Sequence, residues 1–552
     1  MQPEKQLLIL HQKQMQRLSE SMLERLLFGM LLLLALAPAW FSGRFFVTGD
    51  GPCHVYNSRV LLDFILGQHR AFYDPFYYLN TNFDPNWLSH ICLAGLQGIF
   101  APEIAEKLFL SGYVLLFAFG LRFLLRQINP ASLFLSSVGL LFVWHHLLQA
   151  GFYNYALSIA LFFWVCGYWM RHRHAWTPGT MLVMAALWVL LYSAHPLGLI
   201  FSMAFIGSGL FAETLQTLRQ HGARQTWVQL RGHVFRLMLA ATPMLVLLIA
   251  YFLRKPWGAD PNTSTVAGLA ADFFQVKTLI TLNSTERDIA KFAGALVGLL
   301  LARAIWQRRS TRVSTDFILL FTVFVLWQYF RQAGNGALEQ ALPERIQPFI
   351  WLGLLCWTAT AQFPKFIHWL APALAAVLLG AFLSVRLPIL QKAAALVEDY
   401  VNATQHIDDE SVVLVLNYDF VGLDFDGRPI ANRNALFMHA ADYIGAYRAA
   451  IMSDNYEATR AYFPMIWHWQ RNMFGQTDKE SINFENRPPR ADILSFDWRS
   501  EGHKIDYVLL LSYDQRFYDH QYSREIMGQL ETAYRFVSGS PRGKAEIWKR
   551  KE

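Results

Sequence analysis

The sequence predicts a polytopic α-helical membrane protein with about eleven spans, followed by a soluble α/β or α+β domain. Three observations lead to this prediction. Of the 552 residues, 54% are hydrophobic and 16% are charged, whereas soluble domains carry about a quarter charged residues. The hydrophobic residues are gathered into runs long enough to span a bilayer. These runs end near residue 386, and polar and aromatic residues are mixed thereafter.

The charge pattern is typical of membrane-protein loops. The formal net charge is +7, and the basic residues fall in short clusters between apolar runs, as in cytoplasmic loops. We therefore expect membrane lipids, and no nucleic acid, as partners. The cysteines Cys53, Cys92, Cys166 and Cys356 lack paired spacing, so the pattern predicts neither a disulfide framework nor a cysteine metal site.

The N-terminal segment is expected to lie in the cytoplasm. Residues 1–25 are polar and basic. No small-residue cleavage site follows the first apolar run, so we expect no cleavable signal. The first span, residues 26–41, then leads out of the cell. Beyond it comes a large first outer loop, residues 42–104, in which 55–66 is predicted to be a helix.

Residues 86–100, within this loop, form an apolar but short segment. It contains His90 and Gln97, and about 20 residues are needed to cross a bilayer. If the segment crossed, the arginines after the next apolar run would lie outside. If it only dips into the interface, that run, 105–125, goes inward and Arg126 lies inside. We adopt the second topology because it obeys the positive-inside rule.

The same rule sets the direction of the remaining apolar runs. Successive runs alternate in direction, and nearly every basic cluster then falls inside. An odd number of spans places the residues that follow them on the outer face. The expected spans after 105–125 are 133–148, 153–170, 178–191, 196–211, 237–253, 289–306, 317–330, 349–361 and 366–385.

Residues 387–552 form the predicted soluble outer domain. They contain no run of spanning length. Residues 412–416 and 507–511 are predicted to be short buried strands. Residues 434–451 and 523–534 are predicted to be helices. A mixture of strands and helices indicates an α/β or α+β domain.

The stretch 48–54, directly after the first span, is the strongest candidate for chemistry. It reads TGDGPCH, and a carboxylate and an imidazole beside a membrane usually face a cavity or a partner. Asp50 and His54 are therefore candidate catalytic residues. The glycines on either side of Asp50 would let a substrate approach the backbone. Asp-Gly-Pro is also good turn chemistry, so an ordinary loop turn remains the alternative.

Further polar residues are expected on the same outward side, where they would line a polar cavity. Each has a plainer interpretation. Tyr153 and Asn154 could cap a helix, His195 could mark a kink or span start, and His146 could be an interfacial side chain. Asp84 is a candidate acid and equally a candidate N-cap for the segment after it.

Arg345 is expected between two closely spaced spans on the outward side. A guanidinium in such a place can clamp a phosphate, because its planar donors match phosphate oxygens. A carboxylate facing the same cavity could act as general base on an acceptor hydroxyl. An outward cavity of this kind would suit a reaction on a lipid-linked substrate.

The arrangement resembles the GT-C glycosyltransferases, polytopic enzymes that use polyprenyl-phosphate sugars. Asp50 matches the acidic position that the family carries in its first outer loop. Residues 85–88 and 102–107 are similar to the family's skimming segment and to the entrance of its second span. The pattern covers roughly the first 200 residues. Asp50 is followed by Gly51 where the best-known branches have Glu, and residues 151–155 replace their second acidic loop.

The resemblance implies sugar transfer from a polyprenyl-phosphate donor to a glycan, lipid or protein acceptor. The reaction would take place at the outer face of a bacterial inner membrane, with the C-terminal domain in the periplasm or outside the cell. Asp50 would be the base or an acid that assists a divalent metal ion, which is the one cofactor left open. Lys107 and Arg345 would bind phosphate, although Lys107 could equally be a snorkelling interfacial lysine.

A non-catalytic membrane protein is the alternative. It would be a scaffold or a transporter of a surface-polysaccharide or secretion system. A transporter is expected to show internal repeats and broken helices at mid-membrane. The sequence shows no internal repeat, and its polar groups cluster at one face, which argues against transport. A scaffold that kept the fold and lost the activity stays open.

Overall fold

The structure is a computed structural model. It describes residues 2–254, 264–307, 316–334, 341–474, 488–495 and 503–552, with side chains from residue 22 onward. Helices dominate up to residue 402, and a small mixed sheet follows. The expected helical fold with a sheet-containing C-terminal region is therefore confirmed.

The helical region contains helices α1 to α15 and one short strand, β1, in its first loop. Each apolar run predicted to be a span lies on one or more of these helices. The elements are α1 (Gln2–Phe41), α2 (Gly51–Leu66), α3 (Arg70–Tyr73), β1 (Tyr77–Leu79), α4 (Leu88–Gln97), α5 (Pro102–Ile128), α6 (Leu135–Gly139), α7 (His146–Gln149), α8 (Tyr153–His172), α9 (Pro178–Ala194), α10 (Pro196–Arg254), α11 (Val266–Phe274), α12 (Glu286–Gln307), α13 (Phe317–Phe330), α14 (Leu342–Thr358) and α15 (Ile367–Asn402).

Among the described residues, 5 helices are long and apolar enough to cross a membrane. These are α1 from Met22 onward, α5, α10, α12 and α15. Helices α9 and α13 are apolar but shorter. The lengths therefore support a membrane-embedded helical region, and the count of eleven spans stays a prediction.

Two of the predicted spans differ from continuous single helices. Residues 133–148 are broken into α6, α7 and the turns between them. Helix α10 covers both 196–211 and 237–253, but it is interrupted at Gly222, where φ is 75° and ψ is 173°. Glycine tolerates these angles because it has no Cβ. The interruption at Gly222 separates the two apolar halves of α10.

The segment predicted to skim the membrane contains helix α4, which has 10 residues. At about 1.5 Å per residue it is too short to span a bilayer. It packs against α2, α5, α8 and α9. Trp87, just before it, donates its backbone N–H to the Ser193 carbonyl at 2.9 Å. Helix α4 is thus the part of the first loop that packs into the helical region.

The C-terminal region begins after α15, which runs on past residue 387 to Asn402. Its β2 and β5 match the two predicted strands, and its last helix, α17, matches the predicted 523–534 to within two residues. Residues 434–451 are only partly helical, because the short helix α16 is followed by a strand. The elements are β2 (Ser411–Asn417), α16 (Asp442–Tyr447), β3 (Ala450–Met452), β4 (Met465–Trp467), β5 (Tyr507–Leu511), α17 (Gln521–Ala533), β6 (Tyr534–Gly539) and β7 (Ala545–Arg550).

The main sheet has the strand order β3-β2-β5-β7-β6. Strands β3, β2 and β5 are parallel, and β7 and β6 are added in antiparallel orientation. The chain goes from β2 to β3 on one side and reaches β5 on the other, so β2 is a topological switch point. Functional groups in such sheets gather beyond the carboxyl ends of the strands. Residues 453–457 follow directly after the carboxyl end of β3.

The first loop and the C-terminal domain are joined by shared secondary structure. Strand β1 pairs with β4 in an antiparallel two-stranded sheet, with Tyr77 opposite Trp467. Helix α2 packs against α16, and the Tyr56 hydroxyl donates to the Ala450 carbonyl at 2.7 Å. A Cβ on Gly445 of α16 would lie 2.6 Å from the Tyr56 ring, which explains the glycine. The C-terminal domain is therefore docked on α2.

Candidate active site at the start of helix α2

Asp50 lies at the start of α2, where the chain has left α1. It occupies the N-cap position, yet its side chain does not cap the helix. The Thr48 hydroxyl accepts the Gly51 N–H instead, at 3.1 Å. Pro52 in the first turn and Gly67 (φ 70°) at the C-cap suit the two ends of the helix. The carboxylate of Asp50 is therefore available for contacts across the site.

The turn before α8 holds the backbone of Asp50. The Asp50 N–H donates to the Ala150 carbonyl at 3.0 Å. The next residue, Gly151, has φ 97°, and a Cβ there would lie 2.4 Å from the Asp50 nitrogen. A Cβ on Gly51 would lie 2.4 Å from the Tyr153 hydroxyl. These glycines permit close packing within the protein around Asp50.

The electrostatic surroundings of Asp50 come from several parts of the chain. Burial raises the pKa of Asp50 to about 6, while a hydrogen bond with Tyr456 and the charge on His54 oppose the rise. Glu457 contributes to the rise, and the positive charge of Arg345 opposes it. A carboxyl group with a pKa near 6 is mostly ionised at neutral pH and can still accept a proton.

His54 and His90 hold the carboxylate of Glu457 between them. The His54 Nδ1 lies 2.8 Å from Oε1 of Glu457, and the His90 Nε2 lies 2.9 Å from Oε2. Asn57 also donates to Oε2, at 3.0 Å. His54 comes from α2, His90 from α4 and Glu457 from the C-terminal domain. We call His54, His90 and Glu457 the buried triad, since each side chain is at most 4% exposed.

The pKa values of the buried triad follow from its geometry. Burial opposes ionisation of Glu457, but the charges of His54 and His90 outweigh it and lower the pKa of Glu457 to about 2. Burial lowers the pKa of His54, yet its contact with Glu457 raises that pKa overall. The pKa of His90 is lowered, because burial dominates there. An ionised Glu457 therefore faces a readily protonated His54 next to Asp50.

A second buried carboxylate, Glu106 of α5, lies on the other side of this region. The Tyr153 hydroxyl donates to its Oε1 at 2.6 Å, and the Tyr443 hydroxyl donates to its Oε2 at 2.5 Å. Tyr153 also lies 3.0 Å from the Thr48 hydroxyl, and its ring stacks on His54 at 5.1 Å between centroids. Tyr153 thus connects Glu106 to the start of α2.

Arg345 approaches the site from α14. Its Nη1 lies 3.4 Å from Nε2 of His195, and its guanidinium carbon lies 5.1 Å from the centre of the Phe152 ring. The Arg345 carbonyl accepts the Tyr155 hydroxyl at 2.6 Å. The structure therefore brings Arg345, His195 and the turn before α8 together, with the charge of Arg345 acting on Asp50.

Asp84 and Asn154 have other partners. Arg254 donates to Oδ1 of Asp84 at 2.6 Å, and Asp84 caps no helix, because the N-cap of α4 is Trp87. Asn154 accepts the Ser89 N–H at 2.7 Å. The side chain of Asn154 thereby holds the start of α4, and Asp84 forms an ion pair with the end of α10.

Lys107 and His146 also point to other surroundings. The ammonium group of Lys107 donates to the Gly43 carbonyl and lies 6.0 Å from the centre of the Trp40 ring. His146 lines a separate small pocket with Lys277. Of the nine candidate residues, the structure groups Asp50, His54, Tyr153, His195 and Arg345 around the start of α2.

Sequence reasoning missed the acidic partners of these residues. Glu106 carried a signal, since it is a carboxylate one turn inside an apolar run. Tyr456 and Glu457 carried none, because they lie in a polar segment of the C-terminal domain. His90 was noted only as a polar residue within a short apolar segment.

Comparison with solved structures identifies a similar fold. The apo structure of ArnT from Cupriavidus metallidurans matches with a TM-score of 0.51 at 12% identity, covering 94% of this chain and 97% of that chain. Comparison with models of protein families found no match, and neither did a search of curated proteins. The expected likeness to the GT-C glycosyltransferases, to which ArnT belongs, is thus confirmed for the fold.

Proposed function

We propose that this protein is a membrane glycosyltransferase that moves a sugar from a polyprenyl-phosphate donor to an acceptor. The acceptor is a glycan, lipid or protein hydroxyl or amine at the outer face of the inner membrane. The observation that supports this most is the position of Asp50. Its carboxylate is not used as a helix cap, has a pKa of about 6, and lies within electrostatic reach of Arg345.

In this proposal Asp50 is the general base. It takes the proton from the acceptor as the acceptor attacks the anomeric carbon, and the bond from that carbon to the donor phosphate breaks. General bases of this kind typically contribute about 10²- to 10⁴-fold to the rate. His54, paired with Glu457, sits one helical turn from Asp50 and stabilises the ionised carboxylate.

Arg345 is the proposed phosphate-binding residue. The leaving polyprenyl phosphate gains negative charge, and a guanidinium can stabilise it with two parallel hydrogen bonds. The Phe152 ring and His195 position the guanidinium. Lys107 is less suited to this role than the resemblance implied, because its ammonium group is held by the Gly43 carbonyl.

The C-terminal domain is proposed to complete the site. It provides Tyr456, which hydrogen-bonds with Asp50, and Glu457, which binds His54 and His90. Phe463 lies against both histidine rings, at 6.0 and 5.3 Å between centroids. A domain that supplies such residues is placed to contact the acceptor next to the base.

The test is Asp50→Asn in cells that otherwise lack the protein. We expect the variant to be made at the normal level and to restore transfer at most about one hundredth as well as the unchanged protein. Mass spectrometry of membrane lipids and surface glycans measures the missing modification and the accumulated donor. The matched control is Asp74→Asn, an exposed aspartate of the same loop that pairs with Arg70, which should restore transfer fully.

The proposal is overturned if Asp50→Asn restores the same lipid and glycan composition as the unchanged protein. If neither the variant nor deletion of the protein changes that composition, the non-catalytic scaffold is the better interpretation. The main feature of such a scaffold would then be the docking of the C-terminal domain over Asp50.

A further inference from the structure

A second cluster of chemistry-bearing side chains lies next to Asp50 and has no part in the proposed transfer. It consists of Cys53 from α2, and His439 and Asp442 at the start of α16. The three ligating atoms all lie within 4.8 Å of one another. Cys53 and Asp442 are 0% exposed and His439 is 4% exposed. The cluster therefore joins the first loop to the C-terminal domain in the protein interior.

The histidine of this cluster has an unused ligating atom. The Nδ1 of His439 is buried without a hydrogen-bond partner. The imidazole ring stacks on Tyr456 at 4.5 Å between centroids. A buried polar atom without a partner destabilises the fold. An imidazole nitrogen left open in this way is able to bind a metal ion.

The carboxylate of the cluster, Asp442, lacks a countercharge. Oδ2 of Asp442 accepts the Cys53 thiol at 2.6 Å, and its Oδ1 is buried without a hydrogen-bond partner. A buried carboxylate oxygen without a donor is costly, and a bound cation would satisfy it. Among the described residues, no lysine, arginine or histidine forms an ion pair with Asp442 or Asp454. The nearby His54 and His90 are already engaged by Glu457.

The neighbouring triad of His54, His90 and Glu457 also has metal-like spacing. Its members, however, satisfy one another through contacts of 2.8 and 2.9 Å. The charge of Glu457 is balanced there by protonation of a histidine. The cluster around Cys53 has no such internal balance, which makes it the better cation site.

The ligand types indicate which cation would bind. A thiolate, an imidazole nitrogen and a carboxylate together suit zinc, whereas magnesium and calcium prefer oxygen ligands only. A site closed to solvent and filled by protein ligands is typical of structural zinc. Binding would release the thiol proton of Cys53.

We propose that Cys53, His439 and Asp442 bind a zinc ion. The ion ties α2 to α16 and so fixes the C-terminal domain beside Asp50. No spacing in the sequence indicates this site, because Cys53 and Asp442 are 389 positions apart.

The first measurement is the zinc content of the full-length protein, purified in detergent and desalted after incubation with zinc chloride. We expect about one zinc per chain, and binding at least about tenfold weaker in Cys53→Ser and in His439→Ala. Cys92→Ser is the matched control, because Cys92 is an exposed cysteine outside the cluster. This variant should keep the zinc.

The second measurement replaces zinc by cobalt. Thiolate coordination should give a charge-transfer absorption band in the near ultraviolet, present in Cys92→Ser and lost in Cys53→Ser. In the unchanged protein a chelator should lower the melting temperature, and added zinc should restore it. This comparison needs no variant, so it remains decisive even if Cys53→Ser fails to fold.

The proposal is overturned if the folded, unchanged protein binds no zinc and shows the same melting temperature with chelator and with zinc. It is equally overturned if Cys53→Ser and His439→Ala keep the full zinc content, or if bound cobalt shows no thiolate band. The cluster would then be a network held by shared protons. None of these measurements depends on the proposed sugar transfer.

Discussion

At the residue scale, the candidate site depends on how buried charges are balanced. Glu457 is paired with two histidines, and Asp50 with Tyr456 and the charge of His54. Removing one member of a buried charged group costs more than the group contributes, because the remaining charge is left without a partner. The buried triad is therefore the point where single substitutions should affect the fold most.

Glu457→Gln should remove a pH-dependent contribution to stability. The pKa of Glu457 falls from 4.5 to about 2 on folding, so its ionised form stabilises the fold above about pH 4.5. This stabilisation, on the order of 2–4 kcal/mol, is lost as the pH falls towards about 2. We expect the variant to melt at a lower temperature than the unchanged protein at neutral pH. Its melting temperature, measured in detergent, should also fall less as the pH is lowered.

The control for this prediction is Glu410→Gln, which affects a histidine–glutamate pair at the surface. His69 and Glu410 lie 2.9 Å apart, but both are well exposed, and such pairs contribute about 0–1 kcal/mol. Its melting curve should follow that of the unchanged protein at every pH. If the melting temperature of Glu457→Gln falls at low pH as much as that of the unchanged protein, other groups dominate the acid unfolding.

At the element scale, α2 and β1 connect the two parts of the molecule. Helix α2 presents His54 to α4 and Cys53 to α16, because consecutive residues point to different sides of a helix. Strand β1 pairs with β4, which lies 388 residues further along when Tyr78 is matched with Ile466. Neither a short strand nor one helix would be stable alone, so the docking of these elements stabilises both.

Cysteines introduced at Tyr78 and Ile466 should form a disulfide on mild oxidation. The two positions are opposite each other in the β1–β4 pair, where Cβ atoms are about 4.5–5.5 Å apart. We would make the change in a Cys92→Ser background, since Cys92 is exposed. Non-reducing electrophoresis should show a faster band that disappears with a reductant.

Cysteines at Tyr78 and Tyr518 provide the matched comparison. Both side chains are exposed, but Tyr518 has no pairing with β1. This second pair should stay reduced under the same conditions. Equal cross-linking of both cysteine pairs, or no cross-link between positions 78 and 466, would contradict the docking of the first loop on the C-terminal domain.

At the scale of the whole molecule, the fold is a helical region with a small mixed-sheet domain docked on its first loop. The fold similarity to the ArnT structure extends over 94% of the chain. The buried ion pair of Arg386 and Glu286, at 2.8 Å, holds α15 against α12 just before the domain begins. Because the C-terminal domain is docked on the first loop, the two must lie on the same side of the membrane.

Fusions with alkaline phosphatase, which is active only outside the cytoplasm, test the predicted orientation. A fusion after residue 552 should be active, because the C-terminal domain is expected outside. A fusion after Asn129, at the end of α5, should be inactive, because Arg126 is expected inside. Colony staining and whole-cell enzyme assays measure both. The reverse pattern would mean that the whole molecule has the opposite orientation, with the first loop and the C-terminal domain in the cytoplasm.

The sequence by itself determined the helical fold with its apolar runs and the sheet-containing C-terminal region, and it singled out the stretch around Asp50 as a candidate site. These properties depend on local patterns, such as the length of apolar runs and the position of charges beside them. The strands β2 and β5 were predictable for the same reason.

Only the tertiary structure decided which groups surround Asp50. Tyr456 and Glu457 reach it across roughly 400 residues of chain, and His90 contacts Glu457 across 367 residues. No local periodicity in the sequence records such contacts. The structure likewise separated Asp84, Lys107 and His146 from the site by giving each a different partner. The physical cause of the grouping around Asp50 is the docking of the C-terminal domain on α2. Docking brings together and buries opposite charges that lie far apart in the sequence.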